Sequence, residues 1–226
     1  MKVLLTGGSR GIGAATVKAL RAAGHVVTVV SRTAPESDHW ISVDLSKSYE
    51  RFHLIEQAVN LMGGLDVLIN NAGAQYHASA IEYERSQWHH QIELMLTAPF
   101  DLSQQAAKYM LKHGGGRIIN VASVAGIQGT RGIVAYSVAK AGLIEMTKCL
   151  SNEWQPLIAV NAIAPGFIET DMQTLDTDHK AAMLGRLPAG RFGTVEEVAR
   201  TALWLATDAP YITGTTILVD GGWLAR

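Results

Sequence analysis

A doubly wound α/β fold, with a mostly parallel seven-stranded sheet and helices on both faces, is predicted by three features of this sequence. Short apolar, β-branched runs alternate with longer helical patterns along the 226 residues, the order that builds parallel strands joined by crossovers. The strand candidates are near-continuous apolar runs rather than alternating ones, as strands covered on both faces are. The first of them passes directly into a glycine-rich turn and a helix.

In chain order, KVLLT (2–6) is the first strand, and the helix near 11–23 follows its glycine turn. HVVTVVS (25–31) and WISV (40–43) are the second and third strands. Only RTAPESDH lies between them, whereas a helical crossover needs roughly a dozen residues or more. The connection is therefore shortened to an irregular loop that leaves one outer sheet face less covered. A helix near 48–62 leads to DVLIN (66–70), and one long helix over 84–113 leads to RIINVAS (117–123). A helix near 135–154 precedes IAVNAIA (158–164), and another near 194–207 precedes TTILVD (215–220). No repeat, low-complexity tract or linker divides the chain, so 1–226 reads as one domain.

Composition removes several function classes. The formal charge is −1 and no basic stripe appears, which argues against a nucleic-acid partner. Glycines interrupt MKVLLTGGSRGIG well short of a signal peptide or membrane span, so no membrane association is expected. Cys149 is the lone cysteine, which makes an intramolecular disulfide impossible and a cytoplasmic location the default. His77, His89, His90 and His113 lack metal-ligand spacing and read as surface or helix positions, so no metal is expected. Trp88, Trp154, Trp204 and Trp223 read as packing residues.

In TGGSRGIG, Gly7, Gly11 and Gly13 carry the chain from the first strand into the first helix. Glycine permits close backbone approach, and a helix amino end offers unpaired N–H groups to phosphate. The spacing departs from GxGxxG, and a merely tight structural turn is the alternative. Ser31 and Arg32 end the second strand where a carboxylate would favour a free ribose hydroxyl. With Arg10 in the turn, two guanidinium groups are available to a 2′-phosphate, which favours NADP(H) over NAD(H), unless both arginines are simply solvated.

Ser123 closes the fifth strand, and Tyr136 and Lys140 follow in YSVAK at i,i+4 spacing on one helix face. A tyrosine hydroxyl is a poor acid at neutral pH, but a nearby ammonium stabilises the phenolate and lowers its pKa. Ser123 would then hold a substrate oxygen while Tyr136 exchanges its proton, although Tyr and Lys at this spacing are also common on ordinary helices.

Together TGGSRGIG, NNAG, the placement of Ser123, YSVAK and NAIAPG resemble the short-chain dehydrogenase/reductase family over nearly the whole chain. The resemblance implies a Rossmann sheet and reversible hydride transfer between nicotinamide and a carbonyl or secondary alcohol, with Ser123, Tyr136 and Lys140 catalytic. It implies cofactor contacts from Gly7, Ser9, Arg10, Gly11, Ile12 and Gly13, from Ser31 and Arg32, and from Asp44 and Leu45 beside adenine. Asn70, Asn71, Ala72 and Gly73 would line the cofactor cleft, although Asn70 and Asn71 could instead join strand edges and Asp44 could cap a turn. Tyr136 and Lys140 would also meet the cofactor, Lys140 at the nicotinamide ribose, while Pro165, Gly166, Ile168 and Thr170 would frame the nicotinamide. The segment from Glu169 to about Arg191 would be a mobile substrate lid.

One position departs from the pattern. Met95 falls where many members have an asparagine supporting a proton relay behind the lysine, and a thioether cannot donate a hydrogen bond. Pro99, four residues on, has no N–H to occupy the Met95 carbonyl, which is expected to stay free for the relay. The alternative is that Met95 fills core and Pro99 merely starts a helix segment.

PGFIETDM, LPAGRFG and YITG resemble 3-oxoacyl-thioester reductases, the favoured substrate reading. VDGGWLAR and SNEW resemble keto-deoxy-gluconate dehydrogenases. A non-catalytic NADP(H)-binding sensor is a third reading, opposed by the retention of Ser123 and Tyr136. An acyl-thioester or other small-molecule carbonyl is the expected partner, and a homotetramer or dimer packed through 84–113 and 135–154 is implied by the resemblance alone.

Overall fold

The computed structural model describes residues 1–35, 39–170 and 182–225. Seven strands form one sheet: β1 (Lys2–Thr6), β2 (Val26–Ser31), β3 (Trp40–Ser42), β4 (Val67–Asn70), β5 (Gly116–Val121), β6 (Ile158–Pro165) and β7 (Thr216–Val219). Their order is β3-β2-β1-β4-β5-β6-β7, and every pairing is parallel. Successive residues of a strand face opposite sides. Leu4, Leu68 and Ile118 accordingly enter one core with α3 (Leu54–Met62) and α5 (Ala98–Met110). Val3, Leu5, Val67, Ile69 and Ile119 enter the other, with α1 (Gly11–Ala22) and the Val195–Thr207 helix. Burial on both faces is why these strands read as unbroken apolar runs.

The described part of the β2–β3 connection contains no helix, and β3 at the edge has no fully buried residue. In place of a covering helix, Trp40 lies back over β2. Its indole N–H donates to the Ser31 carbonyl (3.1 Å) and hydroxyl (3.2 Å).

Two expected helices prove to be broken. The segment 48–62 is α2 (Ser48–Arg51) followed by α3, and the break leaves Phe52 exposed while Arg51 turns fully inward. The segment 84–113 is α4 (Arg85–Ile92), a π-helical stretch at Glu93–Thr97, and α5. Pro99 lacks the N–H that would continue the α pattern, and the Ala98 N–H reaches five residues back to the Glu93 carbonyl. Strand β5 also ends two residues before Ser123, which caps a 3-10 turn at Val124–Gly126. Beyond it run α6 (Val134–Trp154) and, after residues 171–181, α7 (Val195–Thr207).

Candidate active site

Strand order reverses at β1: the chain runs outward through β2 and β3, then crosses to β4 on the other side. Connections leaving the carboxyl ends of β1 and β4 diverge there, which opens a crevice in sheets of this kind. A cleft of about 670 Å³ occupies that position.

The glycine turn forms its floor. Gly7 has φ +72°, and a Cβ there would stand 2.8 Å from the Ala72 Cα, so the turn and the loop after β4 approach backbone to backbone. A Cβ on Gly13 would overlap the Gly7 carbonyl at 2.1 Å. Asn71 ties the two loops together: its side-chain amide donates to the Thr6 and Gly7 carbonyls, both at 3.0 Å, and its N–H donates to the Thr6 hydroxyl. Arg10 at the N-cap of α1 has extended backbone and supplies no side-chain cap, so the helix presents its first N–H groups without that partner. Ser9, Gly11 and Ile12 complete this part of the wall.

At the β2 end, Ser31, Arg32, Asp44 and Leu45 all border the cleft. The Ser31 hydroxyl is already engaged, donating to the Thr33 carbonyl at 2.6 Å while accepting from Trp40. Asp44 both lines the cleft and shapes a turn, accepting from the N–H and hydroxyl of Ser46. Partial burial raises the pKa of its carboxyl, but the Ser46 hydrogen bonds and the charges of Arg32 and Lys47 outweigh that and hold it below the ordinary value.

Ser123, Tyr136 and Lys140 converge at the other end. The Ser123 oxygen accepts from the Ala125 N–H (3.1 Å), which fixes the hydroxyl on the cleft wall that it shares with Tyr136. Burial pushes the Tyr136 hydroxyl above its ordinary pKa and the neighbouring Ser123 hydroxyl opposes the rise, so the lowering expected from a neighbouring ammonium is not the net effect. Lys140 points to the backbone. Its Nζ donates to the Val121 carbonyl at 2.6 Å and stands 5.7 Å from the Tyr136 ring centroid. Burial lowers the pKa of Lys140 to about 8. Pro165, Gly166, Ile168 and Thr170 also line the cleft, as do Ala72 and Gly73. Of the expected lid, 171–181 lie outside the described residues.

Asn70 does not line the cleft. It is buried, donating to Asn120 (2.9 Å) and Ser103 (3.2 Å), and Asn120 donates on to Thr147 (2.9 Å), a polar chain joining β4, β5, α5 and α6. Met95 is fully buried, and its sulfur would stand 3.3 Å from a Cβ on Gly73, with Lys140 Nζ at 3.9 Å from that same point. The thioether thus packs beneath the cleft loop beside the lysine.

Several cleft residues were not singled out from sequence. His90, read as a surface or helix position, lines the cleft from α4. Trp223, read as packing, lines it from the chain's end, donates to the Gln128 side-chain carbonyl (2.8 Å) and meets Phe167 edge-on at 4.7 Å. The available signal was position: Trp223 follows β7, whose carboxyl end points to the crevice. Among the described residues no His/Cys/Asp/Glu cluster could hold a metal ion, and no helix is long and apolar enough to cross a membrane.

The family model described as Enoyl-(Acyl carrier protein) reductase matches residues 7–224. The chain is 37% identical over 236 residues to the 3-oxoacyl-[acyl-carrier-protein] reductase FabG of Aquifex aeolicus, covering 97% of this chain and 95% of that one. It is 36% identical over 240 residues to the 2-dehydro-3-deoxy-D-gluconate 5-dehydrogenase of Dickeya dadantii, covering 99% and 95%. A provisionally named 2-deoxy-d-gluconate 3-dehydrogenase of Agrobacterium tumefaciens, crystallised with bound NADP, superposes with a TM-score of 0.92 at 36% identity, covering 99% of this chain and 96% of that one.

Proposed function

This chain belongs to the short-chain dehydrogenase/reductase family, and on that premise we propose that it uses NADP(H) to interconvert a carbonyl and a secondary alcohol, acting as a 3-oxoacyl-thioester reductase. The observation that carries the reading is the convergence of Ser123, Tyr136 and Lys140 in one cleft with the glycine turn and Arg32.

The residues present fit a dinucleotide. The helix amino end and the side-chain-free approach at Gly7 and Gly13 suit a pyrophosphate. Arg10 and Arg32 are exposed guanidinium groups suited to a 2′-phosphate, and no carboxylate ends β2. Asp44 and Leu45 would flank adenine, Asn71 to Gly73 the middle of the cofactor, and Pro165, Gly166, Ile168 and Thr170 the nicotinamide. When bound, the nicotinamide supplies or accepts the hydride.

In the reducing direction Ser123, its oxygen fixed by Ala125 N–H, orients the substrate carbonyl, and Tyr136 donates the proton that makes the alcohol. The raised pKa of Tyr136 keeps it protonated for that step. Lys140 is the cation available to stabilise the phenolate left behind, and it also serves the nicotinamide ribose. Oxidation reverses these transfers. The relay expected behind Lys140 would run here without an asparagine side chain, resting on the main chain of the π-helical stretch around Met95, where Pro99 supplies no N–H.

The lid sequence and the relatives named as 3-oxoacyl reductases support the thioester. The Trp223–Gln128 pair gives the substrate end a polar wall that favours a second reading, a keto-deoxy sugar acid, in line with other relatives. Assembly as a tetramer or dimer through α5 and α6, where Phe100 and Val138 are exposed, and a cytoplasmic location belong to the same proposal.

The test is NADPH consumption by the purified protein on a 3-oxoacyl thioester and on a keto-deoxy sugar acid in parallel. Thioester turnover is expected, falling roughly 10²- to 10⁴-fold in Tyr136→Phe with the fold intact. Preference for the sugar acid would select the second reading. NADPH binding without turnover on either would turn the protein into a cofactor-binding sensor.

A further inference from the structure

Arg51 is an arginine with 2% exposure, set in the short helix α2 and not itself part of the cleft lining. Its guanidinium uses nearly all its donors. Nε donates to Asp101 (2.8 Å), one terminal nitrogen bridges Asp101 (2.7 Å) and Glu93, and the other donates to the Leu45 carbonyl (2.9 Å). Gln105 donates to the Arg51 carbonyl (3.2 Å), so its backbone is held as well.

The two carboxylates lie on either side of the π-helical stretch, eight positions apart, with Glu93 as its first residue and Asp101 in the first turn of α5. In an uninterrupted α-helix residues eight apart point about 80° away from each other, whereas residues seven apart diverge by only about 20°. One residue added by a π turn makes the pair equivalent to seven apart. Glu93 and Asp101 then share a face, and one guanidinium can reach both. A return to α-helical register would swing one carboxylate off that face and leave a buried cation half-paired, which is strongly unfavourable. The same register sets Leu94 on the cleft wall and Met95 beneath Gly73 beside Lys140. Through the Leu45 carbonyl the guanidinium also grips the wall at the β2 end.

We infer that Arg51 is a positioning residue: by clamping Glu93 and Asp101 it locks the π register of 93–97, and by holding Leu45 it ties that register to the adenine end of the cofactor cleft. The second half rests on the dinucleotide reading proposed above. Neither NNAG, the glycine turn nor YSVAK contains this residue, and it touches no reacting atom.

The experiment compares wild type with the charge-free combination R51M/E93Q/D101N and with Arg51→Lys. Removing all three charges avoids stranding an ion, so the combination is expected to fold with a melting temperature close to wild type. Amide hydrogen exchange over 93–98 is measured without ligand, and the Kd for NADPH by titration. Exchange there is expected to quicken about tenfold in the combination, and NADPH to bind about tenfold more weakly, with kcat changing less than KM. Arg51→Lys keeps the charge but cannot fork, so both effects are expected at about a third of that size. Wild-type exchange in a folded variant overturns the register clamp, and faster exchange with unchanged Kd overturns the link to the cofactor. A wild-type protein that binds no NADPH would overturn the dinucleotide reading and that link together, and exchange alone would then decide the clamp.

Discussion

Around the glycine turn the cleft is made of backbone: Gly7 and Gly13 leave no room for a Cβ, and Asn71 fastens the two loops through main-chain carbonyls. The facing wall, built from α4, the π stretch and α5, is made of side chains, with Met95 filling the space beneath Gly73 and Arg51 clamping from outside. The first wall fixes residue types strictly because its contacts involve atoms every residue has. The second can change a side chain as conspicuous as the one at Met95, because its geometry is set by where hydrogen bonds are missing.

Gly13→Ala should break the backbone wall with the largest effect. A methyl 2.1 Å from a carbonyl oxygen cannot be absorbed by a rotamer change, so a loss of roughly 3 kcal/mol or more is expected in chemical denaturation, together with NADPH binding. Wild-type stability would mean that the turn is not backbone-limited. Pro99→Ala acts on the opposite wall. It restores an N–H at the end of the π-helical stretch, whose main chain is the support left for the relay, and turnover should fall roughly tenfold with little change in NADPH affinity. Turnover equal to wild type would remove the role given to that stretch of main chain.

A pH series sharpens the comparison where the two walls meet at Lys140. Its pKa of about 8 is depressed by burial, so the cation predominates below that pH, and kcat/KM for reduction should decline as pH rises through about 8. Stability should move the other way. Above pH 8 the folded lysine has released a proton that the unfolded chain still holds, so this group's contribution makes stability rise with pH until the ordinary lysine pKa. A flat activity profile across pH 7 to about 9 would show that the lysine charge is not required. The smallest effect is expected outside both walls. Thr194 and Glu197 form a reciprocal capping box on α7, and Thr194→Ala should cost about 1 kcal/mol in a melt while leaving the NADPH Kd unchanged.

The strand positions, the glycine turn and the three residues of the candidate active site were legible in the sequence because each depends on a local demand: an apolar run, a backbone without Cβ, an i,i+4 pair. Asn70 and Asn71 were adjacent letters of one motif, and only the pleat of β4 decides that Asn70 enters the interior while Asn71 meets the glycine turn. Pro99 announced an interruption but not its form, since the π register involves Arg51, whose partner Asp101 lies 50 residues away along the chain. The break between α2 and α3 carries neither glycine nor proline and was invisible for the same reason. Trp223 and His90 border the cleft through tertiary placement, which periodicity does not encode.

Trp40, bonded to Ser31 at the β2 end, and Trp223, bonded to Gln128 at the substrate end, set an indole beside each extremity of the cleft. Indoles emit in the near ultraviolet where a reduced nicotinamide absorbs, so the protein carries two optical reporters of its own. The difference between wild type and a phenylalanine replacement at either isolates that indole from the other four tryptophans, and the two difference spectra then distinguish a dinucleotide settling at one end from a carbonyl compound arriving at the other.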